Sequence, residues 1–153
     1  MNRGTNADPN AELRGSGGAK LLFESESYQI RRSIYQTYQE YRNYHKEEVY
    51  HNVLIKKLGD AGFDVVKNKR IFIYHKDERV GTYVPDIVVN DKIVIELKCK
   101  ATLTIEDRKQ FWHYLKSTEY RLGFLVNFGR SNGVEIERRV FDKARRPHSP
   151  SSA

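Results

Sequence analysis

The sequence predicts an α/β fold in which helices pack on a mixed central sheet. Three observations carry this expectation. Two stretches with apolar residues at helical spacing come first. Two runs that are apolar on both faces follow, joined by a tight turn. A further amphipathic helix then leads into a last buried strand. With 153 residues the chain suits one compact domain that can bury a core without disulfides.

Residues 1–22 are rich in Asn, Gly and Ser, and Gly15-Ser16-Gly17-Gly18 reads as linker, so this segment is expected to be a disordered tail. The folded domain is expected over residues 23–142, and a basic, Ser- and Pro-containing tail over 143–153. Tyr28 to Arg42 reads as the first helix, with Ile30, Ile34, Tyr38 and Tyr41 recurring at spacings of three and four. Its tyrosines read either as a base-stacking surface or, in the simpler interpretation, as an amphipathic face packed on the core. The second helix runs from about Lys46 to Asp60 with Val49, Val53, Leu54 and Leu58 inward, and Gly62 is placed to cap it in the left-handed conformation.

Lys69 to Tyr74 reads as a short strand. Gly81 to Val89 and Ile93 to Lys98 read as a hairpin turning at Asn90-Asp91. Ile87, Val88 and Val89, like Ile93, Val94 and Ile95, place apolar side chains on both faces, which predicts central strands covered on two sides. Thr104 to Thr118 reads as a helix capped by Thr104, with Phe111, Trp112 and Leu115 apolar. Leu122 to Asn127 is a buried strand and Val134 to Val140 an edge strand.

The charged residues within these apolar strands carry the chemistry. Glu96 and Lys98 are two apart, so a strand projects both from one face. Asp86 follows Pro85 at the start of another apolar run. Burying carboxylates is costly unless they are paired or bind a cation. Two carboxylates offer hard oxygen ligands suited to magnesium or manganese, and a lysine beside them can orient water or stabilise developing charge. The structural alternative is an ion pair of Lys98 with Glu96 or Asp86 at a strand end. Register decides whether the acids meet. A two-residue turn sets Asp86 opposite Ile95 and splays Asp86 and Glu96 to different faces. A three-residue loop, Asn90 to Lys92, or a bulge near Pro85-Asp86, is therefore expected.

The formal net charge of +7 and the pI of about 9.5 favour a polyanionic partner. Cys99 is the single cysteine, and no CxxC or HExxH spacing occurs, so zinc is not expected. No stretch approaches the roughly 18 apolar residues of a spanning helix, and Met1 to Lys20 has no apolar signal core, so a soluble cytoplasmic protein without a membrane partner is expected. His51, His75 and His113 have no evident partner in the sequence and are assigned no role.

Pro85-Asp86, nine intervening residues and then Glu96-Leu97-Lys98 resemble the signature of PD-(D/E)XK nucleases. Gln110 and Tyr114 on the next helix are similar to the QxxxY motif of RecB-type exonucleases. Leu125-Val126-Asn127-Phe128-Gly129 resembles a strand of the GxxExxY proteins, a branch of the same superfamily, and Glu47 with Tyr50 resembles that branch's ExxY helix. The likeness spans roughly Tyr28 to Val140. It implies a restriction-endonuclease-like core and a nuclease using Mg2+ or Mn2+. Asp86 and Glu96, with the Leu97 carbonyl, would be metal ligands, and Lys98 the catalytic lysine. Glu47 would support the metal, with Glu48 as its substitute. Gln110 would orient the lysine or a phosphate, and Tyr114 would line the site against nucleic acid.

The branch's glycine falls at Tyr44 here, so an unbroken passage between the first two helices is the corresponding expectation. Plainer roles stand beside these: Gln110 as a surface residue, Tyr114 and Trp112 as packing, Glu47 as part of a solvated charged run, and Asn127 as a strand cap.

The function expected is hydrolysis of DNA or RNA phosphodiesters by metal-activated water, with basic residues such as Arg138 and Arg139 on the backbone phosphates. No activated Ser or Cys suggests a covalent intermediate. The alternative is a catalytically inactive nucleic-acid-binding or accessory protein that keeps the fold, and a homodimer or protein partner is compatible with either.

Overall fold

The computed structural model of the protein describes residues 22–141. The two expected tails fall almost wholly outside them. Helices α1 (Glu24–Tyr41) and α2 (Glu47–Asp60) are followed by strands β1 (Val65–Lys67), β2 (Ile71–His75), β3 (Glu78–Tyr83), β4 (Ile87–Val89) and β5 (Ile93–Lys98). Helix α3 (Ile105–Ser117) then leads to β6 (Leu122–Asn127) and β7 (Glu135–Val140). Five strands form a mixed sheet in the order β1-β4-β5-β6-β7. Only β5 and β6 are parallel, and α3 makes the crossover between them. This is the α/β architecture with a restriction-endonuclease-like core expected from the sequence.

Period-two alternation divides the core. Ile93, Ile95 and Leu97 of β5, with Ile87, Val89, Phe124 and Val126, face α1 and α2, where Ile30, Ile34, Leu54 and Leu58 meet them. Val88, Val94 and Leu125 face the other way, against Phe111 and Leu115 of α3. Glu96 and Lys98 share the α3 face with Val94. Each fully buried Leu or Ile contributes about 1.5–3 kcal/mol relative to exposure, so the sheet is held from both sides.

Two expectations are corrected. Gly81 to Val89 is not one strand. The chain breaks at Val84 to Asp86, so that β3 pairs with β2 in a separate two-stranded sheet while β4 joins the main sheet. Pro85 has no N–H to give a ladder, which ends the strand there. The passage between α1 and α2 also breaks despite Tyr44. Arg42 takes the positive φ of 51° that a glycine would otherwise supply, and Tyr44 projects into solvent. The buried Tyr50 fixes that break: its hydroxyl donates to the Arg42 carbonyl and accepts from the His45 N–H, and its ring stacks on Phe128. The tyrosine stripe of α1 is divided between the two readings. Tyr38 is buried, donating to the Arg130 carbonyl and accepting from Gly133 N–H, whereas Tyr28 and Tyr35 are exposed.

Helix α2 ends as expected. Gly62 has φ +92°, its N–H donates to the Gly59 carbonyl, and Phe63 N–H donates to Leu58, which satisfies the last carbonyls of the helix. Helix α3 starts on a reciprocal cap: Thr104 Oγ1 accepts from Asp107 N–H and Asp107 Oδ2 accepts from Thr104 N–H.

The ends of β5 and β6 are clamped together. The fully buried Asn127 accepts from Lys100 N–H and Gly129 N–H through Oδ1, and its Nδ2 donates to the Lys100 carbonyl and to Glu135. A Cβ on Gly129 would lie 2.2 Å from the Lys100 nitrogen and 2.3 Å from its oxygen, a collision with backbone that no rotamer relieves. Gly129→Ala is therefore expected to cost about 1–3 kcal/mol in urea unfolding by forcing the two chain ends apart. An unchanged midpoint would show that this approach is not tight.

Candidate metal centre and active site

The loop between β4 and β5 determines whether the acids can share a site. Val89 pairs with Ile93, Val88 with Val94 and Ile87 with Ile95, so the loop is the three-residue one, Asn90 to Lys92. One further step in that register sets Asp86 opposite Glu96. Asn90 and Asp91 both adopt left-handed backbone, with φ of 51° and 50°, which Asn and Asp tolerate better than most residues. Asn90 is tied twice to the residue before β1, its N–H donating to the Asp64 carbonyl and its Oδ1 accepting from Asp64 N–H.

Asp86 stands at the point where β4 leaves the sheet. Its Oδ2 accepts the Leu97 N–H of β5 at 2.7 Å, in place of a strand neighbour. Its other oxygen reaches the α2 side, where His51 Nε2 lies 3.7 Å from Oδ1 and 3.4 Å from Glu47 Oε1. One ligand atom from each of Glu47, His51 and Asp86 falls within 4.8 Å of the others. His51 is thus a residue the sequence reading set aside. Its signal was the i, i+4 spacing from Glu47, which puts both on one face of α2. Glu47, rather than Glu48, makes this approach.

On the other side of Asp86, Glu96 and Lys98 open into a cavity of about 230 Å³, also lined by Tyr83, Val84, Gln110 and Tyr114. Tyr83 donates to Glu96 Oε1 at 2.8 Å and stacks on Tyr114 with ring centres 4.1 Å apart. Tyr83 is not among the site residues the sequence points to, because the sequence carries its strand on through Asp86. Burial is the largest influence on Glu96 and pushes its carboxyl up, and the Asp86 carboxylate pushes it further, to about 7. The Tyr83 hydrogen bond and the Lys98 ammonium pull the other way without prevailing. Burial, then Glu96, in turn holds the Tyr83 phenol well above its ordinary value. The Lys98 ammonium makes no ion pair or hydrogen bond among the described residues and acts on Glu96 only through its charge, whereas its carbonyl accepts from Phe128 N–H.

A third acid, Asp107, is at the cavity wall but is already committed. Lys100 Nζ contacts both its oxygens at 3.0 and 2.9 Å. Burial alone would raise its carboxyl, yet the hydrogen bonds from Thr104 and Lys100 hold it at about 2. Asp86 and Glu96 differ from it in having no Lys or Arg ion pair among the described residues. Two carboxyls close enough for Asp86 to raise the Glu96 value fit a divalent ion, and oxygen donors suit magnesium or manganese. The imidazole of His51, 11 % exposed, adds a borderline nitrogen donor beside Asp86 and Glu47.

The remaining expected residues are placed as follows. Leu97 lies between Glu96 and Lys98, its side chain in the core and its amide on Asp86. Gln110 is exposed at the cavity rim. Arg138 is on the edge strand β7 and turns towards α1, donating to the Leu22 carbonyl, while burial and then Arg31 lower its guanidinium pKa. Arg139 pairs with Glu137. Neither arginine lines the cavity.

The Glu96 value fixes a sign for pH dependence. Its folded value, about 7, lies above the ordinary 4.5, so the folded protein holds a proton that the unfolded chain has lost. Stability therefore falls as pH rises between those values, and the penalty is complete above the folded value. Glu96→Gln is expected to stabilise the metal-free protein at pH ~8 by on the order of 1–3 kcal/mol, and to change little at pH ~4. Thermal unfolding at both pH values checks this, and equal shifts at the two would contradict it. A divalent cation is expected to stabilise the wild type more than the variant.

No curated protein and no solved structure matches the chain significantly. The sequence pattern of the PD-(D/E)XK nuclease superfamily matches residues 24–139, from the start of α1 to within one residue of the end of β7. That span contains the Asp86, Glu96 and Lys98 constellation and every element that positions it, and the chain belongs to the PD-(D/E)XK nuclease superfamily.

Proposed function

We propose that the protein is a metal-dependent nuclease that hydrolyses phosphodiester bonds of DNA or RNA by attack of water. The observation that carries this reading is the meeting of Asp86 and Glu96, neither in an ion pair with Lys or Arg among the described residues, beside the Lys98 side chain, with Glu96 and Lys98 lining an open cavity. Asp86 and Glu96, with the Leu97 carbonyl, are the proposed ligands of Mg2+ or Mn2+, and Glu47 and His51 support the ion from the α2 side. What a divalent cation supplies there is polarisation of the phosphoryl oxygens and a lowered pKa for water.

The chain's own groups do the rest. Lys98 holds the attacking water or stabilises charge growing on the phosphate, and its freedom from an ion pair leaves it available for either. Tyr83 holds Glu96 by the hydroxyl bond, and Tyr114 braces Tyr83 by stacking, so the QxxxY tyrosine supports a ligand through a second ring. Gln110, at the rim, is placed to orient Lys98 or a phosphate. Arg138 and Arg139 are proposed contacts to the backbone away from the centre, with Arg139 the more exposed. The ExxY helix and the Leu125 to Gly129 strand favour the GxxExxY branch. Tyr50 anchors the start of α2 that carries Glu47, and Asn127 and Gly129 lock the end of β5 beyond Lys98, which gives both motifs a structural reason.

Purified protein with labelled DNA and RNA, in single- and double-stranded forms, tests the reading. Cleavage is expected with magnesium or manganese and none with chelator. Asp86→Ala, Glu96→Ala and Lys98→Ala are each expected to lower the rate by about 10²-fold or more. Nucleic-acid binding without product, indifferent to all three substitutions, would support the non-catalytic alternative instead.

A further inference from the structure

The β2–β3 hairpin stands apart from the main sheet, and its outer face has a composition that core packing does not explain. Phe72 and Tyr74 are 43 % and 49 % exposed. The guanidinium of Arg79 lies over the Phe72 ring, 4.0 Å from its centre, and donates to Thr82 Oγ1 at 2.8 Å. Arg79 has no carboxylate partner among the described residues. The inner residues Ile71 and Tyr83 face the α3 core and the cavity, so the hairpin presents two different faces.

A bulge builds this face. Phe72 pairs with Thr82 and Ile73 with Gly81, but the next pair is Tyr74 with Arg79, which leaves Val80 as the extra residue. In a regular strand Arg79 and Thr82, three residues apart, would point to opposite faces. The inserted Val80 turns Arg79 onto the face of Thr82, Phe72 and Tyr74, and re-aiming a side chain is a recurrent use of such bulges. The result is a row of three planar groups, with the arginine held by a ring and a hydroxyl. The same strand ends in Tyr83, which bonds to Glu96. At about 3.3 Å per residue the row lies roughly 3 to 10 Å from the Tyr83 position along the strand.

We propose that this face is a docking platform for single-stranded DNA, which it guides to the catalytic cavity. The inference rests on the nuclease reading above for the identity of the strand. Aromatic rings and arginine planes stack on bases whose faces are free, and in a duplex those faces are already covered by neighbouring pairs. Arg79 adds a positive charge matched to the backbone. DNA is the strand proposed because neither attack by external water nor stacking on two rings and a guanidinium makes use of a 2′-hydroxyl.

Anisotropy of labelled single-stranded DNA with the full chain, in chelator to prevent cleavage, tests the proposal. The wild type is expected to bind single-stranded DNA more tightly than a duplex or an RNA of the same sequence. Phe72→Ala, Tyr74→Ala and Arg79→Gln are each expected to weaken that binding about ten-fold. Arg79→Gln leaves every apolar side chain in place, so it keeps the test decisive if Phe72→Ala unfolds. Unchanged affinity in Arg79→Gln, or tighter binding to duplex or RNA, would overturn the platform. So would a wild-type dimer that these substitutions convert to monomer, since a second copy would then be the occupant. If the wild type cleaves and the variants bind as it does, the platform alone fails. If the variants lose DNA but the wild type cleaves nothing, the nuclease reading alone fails.

Discussion

Two carboxylates that repel one another are held at the same edge of a sheet by the length of a loop. Asn90 to Lys92 is one residue longer than the shortest hairpin turn, and that one residue brings Asp86 into register with Glu96. The consequence is electrostatic: Glu96 is buried beside another acid, and its carboxyl rises to about 7. Neither the Tyr83 hydroxyl nor Lys98 cancels the effect. Asp107, a short distance along the cavity wall, shows what compensation looks like in the same protein, with a lysine on both its oxygens and a value near 2. Asp86 and Glu96 lack a lysine counter-charge of that kind, and the proposed divalent cation would supply one.

The scaffold serves this arrangement from three sides. α2 brings Glu47 and His51 to Asp86, and its start is pinned by Tyr50, whose hydroxyl holds the broken passage from α1. The β2–β3 hairpin contributes Tyr83 from outside the main sheet. The far end of β5 is locked by Asn127 and by the closeness that Gly129 permits. Lys98 lies between that lock and Glu96, on the stretch of β5 paired in parallel with β6. Positioning of this kind matters because a catalytic group out of place by about 1 Å loses much of its effect.

Much of this was legible in the sequence because it depends on local rules. Strict alternation put Glu96 and Lys98 on one face, and side-chain parity demanded a three-residue loop or a bulge, of which the loop is present. Thr104 announced the α3 cap, and the doubly apolar strands announced the centre of the sheet. What was not legible depends on meetings between distant segments. Nothing near His51 indicates that Asp86 will arrive beside it, although Glu47 one turn earlier was the available clue. The strand through Tyr83 looked continuous with Ile87 to Val89, because apolar residues persist across the break and only Pro85 marks it. Tyr44 suggested an unbroken passage, but Arg42 accepts the positive φ instead. The edge strand β1 is three residues long, too short to show a period.

The central claim is that Asp86 and Glu96 share one cation. Titration of Mn2+ followed by electron paramagnetic resonance, on the wild type, Asp86→Asn, Glu96→Gln and the double variant, addresses it directly. The account predicts saturable binding in the wild type, strong weakening in each single variant, and a double variant little weaker than either, because both acids act on the same ion. Binding that survives both single substitutions, or losses that simply add, would contradict it.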